Sequence, residues 1–164
     1  TYAAFKLIAE GRVRHMPARA GATLDFVPVD HVAGSLADIA GTMQQAEGGT
    51  FHLVSSQPIP VTDFTAAIAA FPQFHRPELV SPDLFDPVTL PPLERRLYRR
   101  VAGLYASYFQ RNPHFDDREA QALTGRVCPP TGPDYLHRLI SHCIDVGFLA
   151  REPVSEYADS AVRA

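Results

Sequence analysis

Prolines restrict the fold of this 164-residue chain more than any other feature of its sequence. Six of the 15 prolines lie within residues 72–92. Because proline has no backbone N–H and a fixed φ, this density excludes a long helix or a central strand there. We therefore predict an extended connector over residues 72–92. Two interpretations stay open for it: a structural strap between two lobes, or a loop at a substrate entrance.

The part before the connector, residues 1–71, has an α/β pattern. Asp30 and Thr62 are predicted helix N-caps, because a short polar side chain there can accept a hydrogen bond from the first turn. The spacing of apolar residues predicts five elements: a helix over Tyr2–Ala9, a strand over residues 24–29, a helix over residues 30–43, a strand over residues 50–54 and a helix over residues 62–71.

The part after the connector is predicted to be helical over residues 93–150, with a polar tail over residues 151–164. Apolar stripes predict one helix from Leu93, a second that begins after Asp116 or Asp117, and a third that Gly147 closes. The predicted class is thus an α/β N-terminal part, the edge of a Rossmann-type sheet, followed by a mainly α-helical lobe. The whole chain should be mostly helical with two or three short strands.

Composition excludes several classes of protein. The net charge is −3, so no overall positive field favours nucleic acid. With 46% hydrophobic and 20% charged residues the chain should be globular, and no apolar run approaches the roughly 20 residues of a membrane helix. The two cysteines form no disulfide framework, which favours a cytoplasmic location.

Short catalytic motifs are nearly absent from the sequence. It holds no glycine-rich nucleotide loop, no G-x-S-x-G and no C-x-x-C, and His137 and His142 are five residues apart, which does not suit a helical metal site. Tyr2 and Lys6 match Y-x-x-x-K, a spacing that lets a lysine assist proton transfer by a tyrosine. The pattern is short and arises often by chance, so a core tyrosine with a solvated lysine is the favoured explanation. We predict no catalytic residue and no metal ligand from these motifs.

The densest charge cluster is Glu94–Arg100. Its arginines suit either a solvated helix face or a docking surface for an acidic partner or a phosphate-bearing arm. The docking candidates are Arg95, Arg96, Arg99 and Arg100. Nearby tyrosines suit either core packing or a substrate channel, and the substrate-binding candidates are Tyr98, Tyr105 and Tyr108.

The string LDFVPVDHVAGSLAD, Leu24–Asp38, resembles the stretch after the catalytic region in extended short-chain dehydrogenase/reductases. Its V-P-V-D-x-V-A is most similar to the thioester reductase and fatty acyl-CoA reductase (male sterility-like) branch. The preceding AAFKLIAEGRVRHMP, Gly49–Val54 and Pro60–Phe64 also fit that family. Beyond residue 72 the similarity is looser and rests on HFDDREAQALTG and YLHRLISHCIDVGFL.

The resemblance implies that residues 1–71 are the C-terminal end of an extended reductase's Rossmann-type domain and that residues 93–150 form a substrate-binding lobe. Only 18 residues separate Lys6 from Asp25, and in the family a helix, a strand and a loop lie between the catalytic pair and this strand. Tyr2 and Lys6 therefore do not hold the catalytic positions. The cofactor loop and the catalytic Tyr/Lys pair are expected in an N-terminal half, so this chain alone should bind no cofactor.

The function implied is the substrate-binding C-terminal portion of an NADPH-dependent reductase of acyl thioesters, on CoA or an acyl carrier protein. Two alternatives stay open: a non-catalytic docking module for a carrier protein in a multidomain synthase, and part of a sugar-nucleotide epimerase or dehydratase. The strand predicted over residues 50–54 requires a parallel neighbouring strand, and we expect that neighbour in the missing half. We therefore also expect self-association through an exposed sheet edge.

Overall fold

A computed structural model describes residues 2–103 and 106–153. It shows a mostly helical fold with a few short strands, which confirms that part of the predicted class. The helices are α1 (Tyr2–Ala9), α2 (Val29–Gly41), α3 (Met43–Ala46), α4 (Val61–Ala69), α5 (Pro92–Leu97), α6 (Arg118–Thr124) and α7 (Pro133–Asp145). The strands are β1 (His15–Pro17), β2 (Thr23–Leu24), β3 (Ile59–Pro60) and β4 (Glu78–Val80). A π turn over Tyr98–Ala102 continues α5, and 3₁₀ turns cover Pro82–Leu84, Pro87–Thr89 and Ala106–Phe109.

The described strands form two separate pairs. β1 runs parallel to β4 with Met16 opposite Leu79, and β2 runs antiparallel to β3 with Leu24 opposite Ile59. Since β4 belongs to the proline-rich connector, the connector returns to the N-terminal part and pairs with it. No element between residues 72 and 91 is longer than three residues, as the proline density predicted.

Two strand predictions need correction. The strand expected over residues 24–29 forms a ladder only at Leu24, and α2 already begins at Val29. The strand expected over residues 50–54 is wrong, because these residues belong to no ladder. A strand requires a neighbour that takes its backbone hydrogen bonds, and none of the described strands lies beside this segment.

The predicted helix starts are also displaced. The N-cap positions of α2 and α4 are held by Pro28 and Pro60, not by Asp30 and Thr62, and no side chain caps either helix. Both prolines have extended backbone, with ψ 137° and 139°, which suits the residue before a helix. The predicted helix ends are confirmed at Gly147, which follows α7 at φ +73°, a conformation that costs glycine little.

The main hydrophobic core lies between α1, β1, α4 and α7. α4 packs against α7, and Ile68, Leu136 and Ile140 are each at most 1% exposed. The Phe64 ring lies 5.9 Å from the rings of Phe5 and Phe26. Since this core unites residues from before and after the connector, the two predicted parts share one interior. The domain bounds at 71, 92 and 150 stay predictions.

Candidate functional site

The predicted docking arginines all lie on one element, which we call the arginine helix: α5 together with its π turn, residues 92–102. Pro92 occupies the first turn, where its missing N–H costs nothing. Glu94 lies in the same turn, and Arg95 and Arg96 lie in the last turn of α5. This order of charges matches the helix dipole, so the local sequence favours a helix here.

A buried carboxylate anchors the arginine helix to β1. Glu94 is 5% exposed, and its Oε1 accepts hydrogen bonds from the backbone N–H of Arg14 at 2.7 Å and of His15 at 2.9 Å. The Nδ1 of His15 lies 3.1 Å from the same oxygen, and its Nε2 lies 3.8 Å from Glu78 Oε2. One side chain thus satisfies two backbone donors at the start of a strand and sets the orientation of the helix.

The connector also holds the arginine helix. The Tyr98 ring lies 5.0 Å from the Phe85 ring at 53°, and Arg95 Nη1 donates a hydrogen bond to the Val88 carbonyl at 3.0 Å. Burial raises the pKa of the Tyr98 phenol above its usual range. Arg95 and Tyr98 are therefore engaged in packing the connector onto the helix.

The remaining arginines form the solvent side of this element. Arg96, Arg99 and Arg100 are exposed, and none forms an ion pair with a residue that the structure describes. A guanidinium offers a planar set of donors that matches phosphate or carboxylate oxygens in pairs. The geometry thus leaves three cations available to an anionic ligand on a helix whose buried side is fixed.

The described residues do not show the predicted tyrosines lining one channel. Tyr98 is half-buried against the connector, and Tyr108 is exposed in a 3₁₀ turn. Tyr105 lies outside the described residues. A substrate role for Tyr98, Tyr105 and Tyr108 stays a prediction.

Lys6 has a structural role, although its side chain is 41% exposed, as expected of a solvated lysine. Its Nζ donates a hydrogen bond to the Phe148 carbonyl at 2.8 Å and lies 5.3 Å from the centre of that ring. Glu10, one helical turn away, is 3.6 Å from the same ammonium. Lys6 therefore ties α1 to the residues that follow α7, while the Tyr2 side chain lies outside the described part.

The two segments that carry the family resemblance meet in space. Leu24 pairs with Ile59, and one residue further along Asp25 Oδ1 accepts a hydrogen bond from the Ser55 backbone N–H at 2.8 Å. α2 begins four residues after Asp25. Segments 24–38 and 49–64 are thus joined by a ladder and a side-chain hydrogen bond.

Three helix N-termini of the described chain, those of α2, α4 and α7, do not suit the pyrophosphate of a dinucleotide. Such sites use glycine and free backbone N–H groups at a helix start. Here the first turns of α2, α4 and α7 contain Asp30, Asp63 and Asp134, whose negative charge disfavours a phosphate. The starts of these three helices therefore do not fit the pyrophosphate of NADPH.

Sequence reasoning missed Glu94 and His15 as partners. Glu94 belongs to the charged run whose arginines are the docking candidates, and no nearby residue in the sequence indicates that its side chain is buried. The sequence does place Glu94 in the first turn of a helix that begins with proline. That position indicates only that Glu94 stabilises its own helix, and it does not indicate a contact with a residue some 80 positions away.

Comparisons with known protein families, curated proteins and solved structures found no match. Within the described ranges no three histidine, cysteine, aspartate or glutamate side chains are placed to hold a metal ion. No helix among those residues is long and apolar enough to cross a bilayer.

Proposed function

We propose that this chain is the substrate-binding C-terminal portion of an NADPH-dependent acyl-thioester reductase. The observation that carries the proposal is the junction of segments 24–38 and 49–64, since the two stretches that resemble the family pack together as one unit. Lys6, which is bound to the Phe148 carbonyl, is not available as a catalytic lysine. We assign the protein to the cytoplasm.

The arginine helix supports an anionic substrate. Acyl-CoA carries phosphates, and an acyl carrier protein presents a phosphopantetheine arm on an acidic surface. Arg96, Arg99 and Arg100 offer donors for either one, while Glu94 and Tyr98 hold the helix in place. The role of this half is positional: it would hold the acyl arm so that the carbonyl meets the reacting groups of the other half.

NADPH enters this proposal through the N-terminal half, where it would supply the hydride. Because the starts of α2, α4 and α7 are acidic and the sequence has no glycine-rich nucleotide loop, we expect the chain alone neither to bind NADPH nor to reduce a thioester. Calorimetric titration with NADPH tests this expectation. Binding at micromolar concentration would refute the assignment of the cofactor site to the other half.

The substrate role is tested by titrating the chain with a medium-chain acyl-CoA at low and high salt. The double variant Arg96→Glu/Arg100→Glu should bind it at least about tenfold more weakly, because two phosphate donors become repulsive charges. Arg138→Glu, an exposed arginine on α7, is the matched control and should leave the affinity unchanged. Arg138→Glu changes the net charge half as much as the double variant, so a loss of binding free energy about half as large would mean that only net charge matters.

The same arginine surface also favours a second candidate, a docking module for an acyl carrier protein. Titration with a carrier protein that lacks its acyl group separates the two functions. The docking function predicts that Arg96→Glu/Arg100→Glu weakens this binding as well. Unchanged carrier affinity in the double variant would exclude docking through this surface.

A further inference from the structure

The part of the connector that lies on the arginine helix has almost no buried side chains. We call residues 82–89 the connector loop. Each of them is at least partly exposed, with Leu84 80% and Val88 61% exposed. The ends of the loop are held, because Val80 belongs to the β1–β4 ladder and Leu90 is 7% exposed. A loop that buries little between two fixed ends can leave the surface without unfolding the core.

The hydrogen bonds inside the connector loop are local. The Asp86 carboxylate accepts a hydrogen bond from the Val88 N–H at 2.9 Å, and the Asp86 carbonyl accepts one from the Thr89 hydroxyl at 2.7 Å. The Leu84 N–H donates to the Ser81 carbonyl at 2.9 Å. An aspartate that bonds to the backbone N–H two residues ahead forms a turn without help from distant residues. The loop therefore keeps its own turns when it moves.

Two contacts tie the connector loop to the arginine helix. The Phe85 ring lies 5.0 Å from the Tyr98 ring, and Arg95 Nη1 donates a hydrogen bond to the Val88 carbonyl at 3.0 Å. Among the residues that the structure describes, no carboxylate forms an ion pair with Arg95. An ionised acceptor binds a guanidinium more strongly than a neutral carbonyl does, and it can do so through two parallel hydrogen bonds. A phosphate is therefore a stronger partner for Arg95 than the Val88 carbonyl.

Helical spacing places Arg95 about one turn from Arg99. Like charges four residues apart destabilise a helix, because the two side chains are neighbours on its surface. The one carboxylate of the arginine helix belongs to Glu94, which is buried and bonded to β1, so it does not compensate this pair. A phosphate between the two guanidiniums would replace their repulsion by attraction. Arg95 thus lies at the edge of the exposed arginines and joins them by changing its partner.

We propose that Arg95 is a fourth donor of the anionic site and that the connector loop is a lid whose position it controls. In the structure Arg95 holds the loop through the Val88 carbonyl. When a phosphate binds beside Arg99, Arg95 exchanges the carbonyl for the phosphate, and the loop, now tied by the Phe85–Tyr98 contact alone, opens. The inference rests on the proposed function, in which the arginine helix binds a phosphate-bearing substrate.

The two ties of the loop affect ligand binding in opposite directions. A ligand that requires the open loop loses affinity in proportion to the closed population. Phe85→Ala removes the ring contact and keeps Arg95, so a medium-chain acyl-CoA should bind roughly two- to tenfold more tightly. Arg95→Gln also frees the loop but removes a phosphate donor, so the same ligand should bind about tenfold more weakly. If Arg95 only packed the connector, Arg95→Gln would cause no loss of affinity.

Tryptophan fluorescence reports the opening directly, because the sequence contains no tryptophan. Phe85→Trp places a single indole beside Tyr98, and its emission should shift to longer wavelength when acyl-CoA saturates the site, since the ring becomes solvated. Adding Arg95→Gln should shift the emission before ligand is added and abolish the further shift. Arg100→Gln is the matched control. It also removes one cation from the arginine helix, and at saturation it should keep the full shift.

Calorimetric titration of the same variants with acyl-CoA separates the lid from the proposed function. If the native chain binds acyl-CoA but Phe85→Trp shows no emission shift at saturation, the lid is refuted and the substrate role stands. Weaker binding by Phe85→Ala would mean that the loop closes on the ligand, and it would overturn the exchange at Arg95. No binding by the native chain would refute the proposed function and the exchange together.

Discussion

Replacing Glu94 by alanine should destabilise the fold more than any other single change on the arginine helix. The substitution removes the acceptor of two backbone hydrogen bonds, at 2.7 Å from Arg14 N and 2.9 Å from His15 N. A buried donor that is left unpaired costs about 1–3 kcal/mol. Because both hydrogen bonds are only partly buried, we expect a total loss of about 3 kcal/mol, in the lower part of the range for two donors.

Glu94→Gln separates the lost hydrogen bonds from the lost charge. Its amide oxygen can still accept from both N–H groups, although a neutral acceptor is about half as strong as a charged one. We therefore expect Glu94→Gln to cost about 1 kcal/mol. Glu78→Ala is the control, because the Glu78 side chain is 73% exposed and its contact with His15 is 3.8 Å, which predicts a loss below about 0.5 kcal/mol.

The assay is urea unfolding followed by far-ultraviolet circular dichroism, with the midpoint compared at a constant slope. A loss of 3 kcal/mol corresponds to a fall in Tm of about 6–12 °C for a chain of this size. If Glu94→Ala matched Glu78→Ala within 0.5 kcal/mol, the anchoring argument would be refuted. If Glu94→Gln were as damaging as Glu94→Ala, charge and not hydrogen bonding would dominate.

Three further predictions concern single side chains. The Arg118 hydrogen bond lowers the pKa of the Asp116 carboxyl from 3.8 to about 2, so the pair stabilises the fold above pH 3.8 and this contribution is lost as the pH falls through about 2. NMR titration should show this pKa, and Arg118→Gln should return it towards 3.8. Burial raises the pKa of both thiols, Cys128 and Cys143, so a disulfide reagent at pH 8 should label them slowly until urea unfolds the chain, and rapid labelling of the native chain would contradict their burial. The Ser35 hydroxyl is buried with no hydrogen-bond partner among the described residues, so Ser35→Ala should leave the free energy of unfolding unchanged or raise it by about 1 kcal/mol, and a clear loss would reveal a partner.

The helices were predictable because their signals are local. The stripe of Leu136, Ile140 and Cys143 repeats at helical spacing, and all three side chains are buried in α7. On α2 the same spacing identified the helix, yet Leu36 and Ala40 are exposed. Periodicity shows that a helix forms but not which side faces the core, since that depends on the neighbours it finds.

The strands and the candidate site were less predictable for the same reason. A strand needs a partner, and the proline-rich connector supplies one for Met16, while residues 50–54 pair with no strand among the described residues. The arginine cluster was visible in the sequence. Its anchor was not, because Glu94 and His15 are 79 residues apart and only folding brings them together.

The sequence by itself determined where this chain can form long helices or strands. Proline excluded long elements from residues 72–92, and apolar spacing and glycine set the helices, because these effects act within a few residues along the backbone. The tertiary structure alone decided which charges are buried and which apolar faces stay exposed. Glu94 is buried beside β1 and Leu36 is exposed on α2, contrary to their residue types. Burial depends on which distant segments pack together, and a local sequence pattern does not show which segments those are.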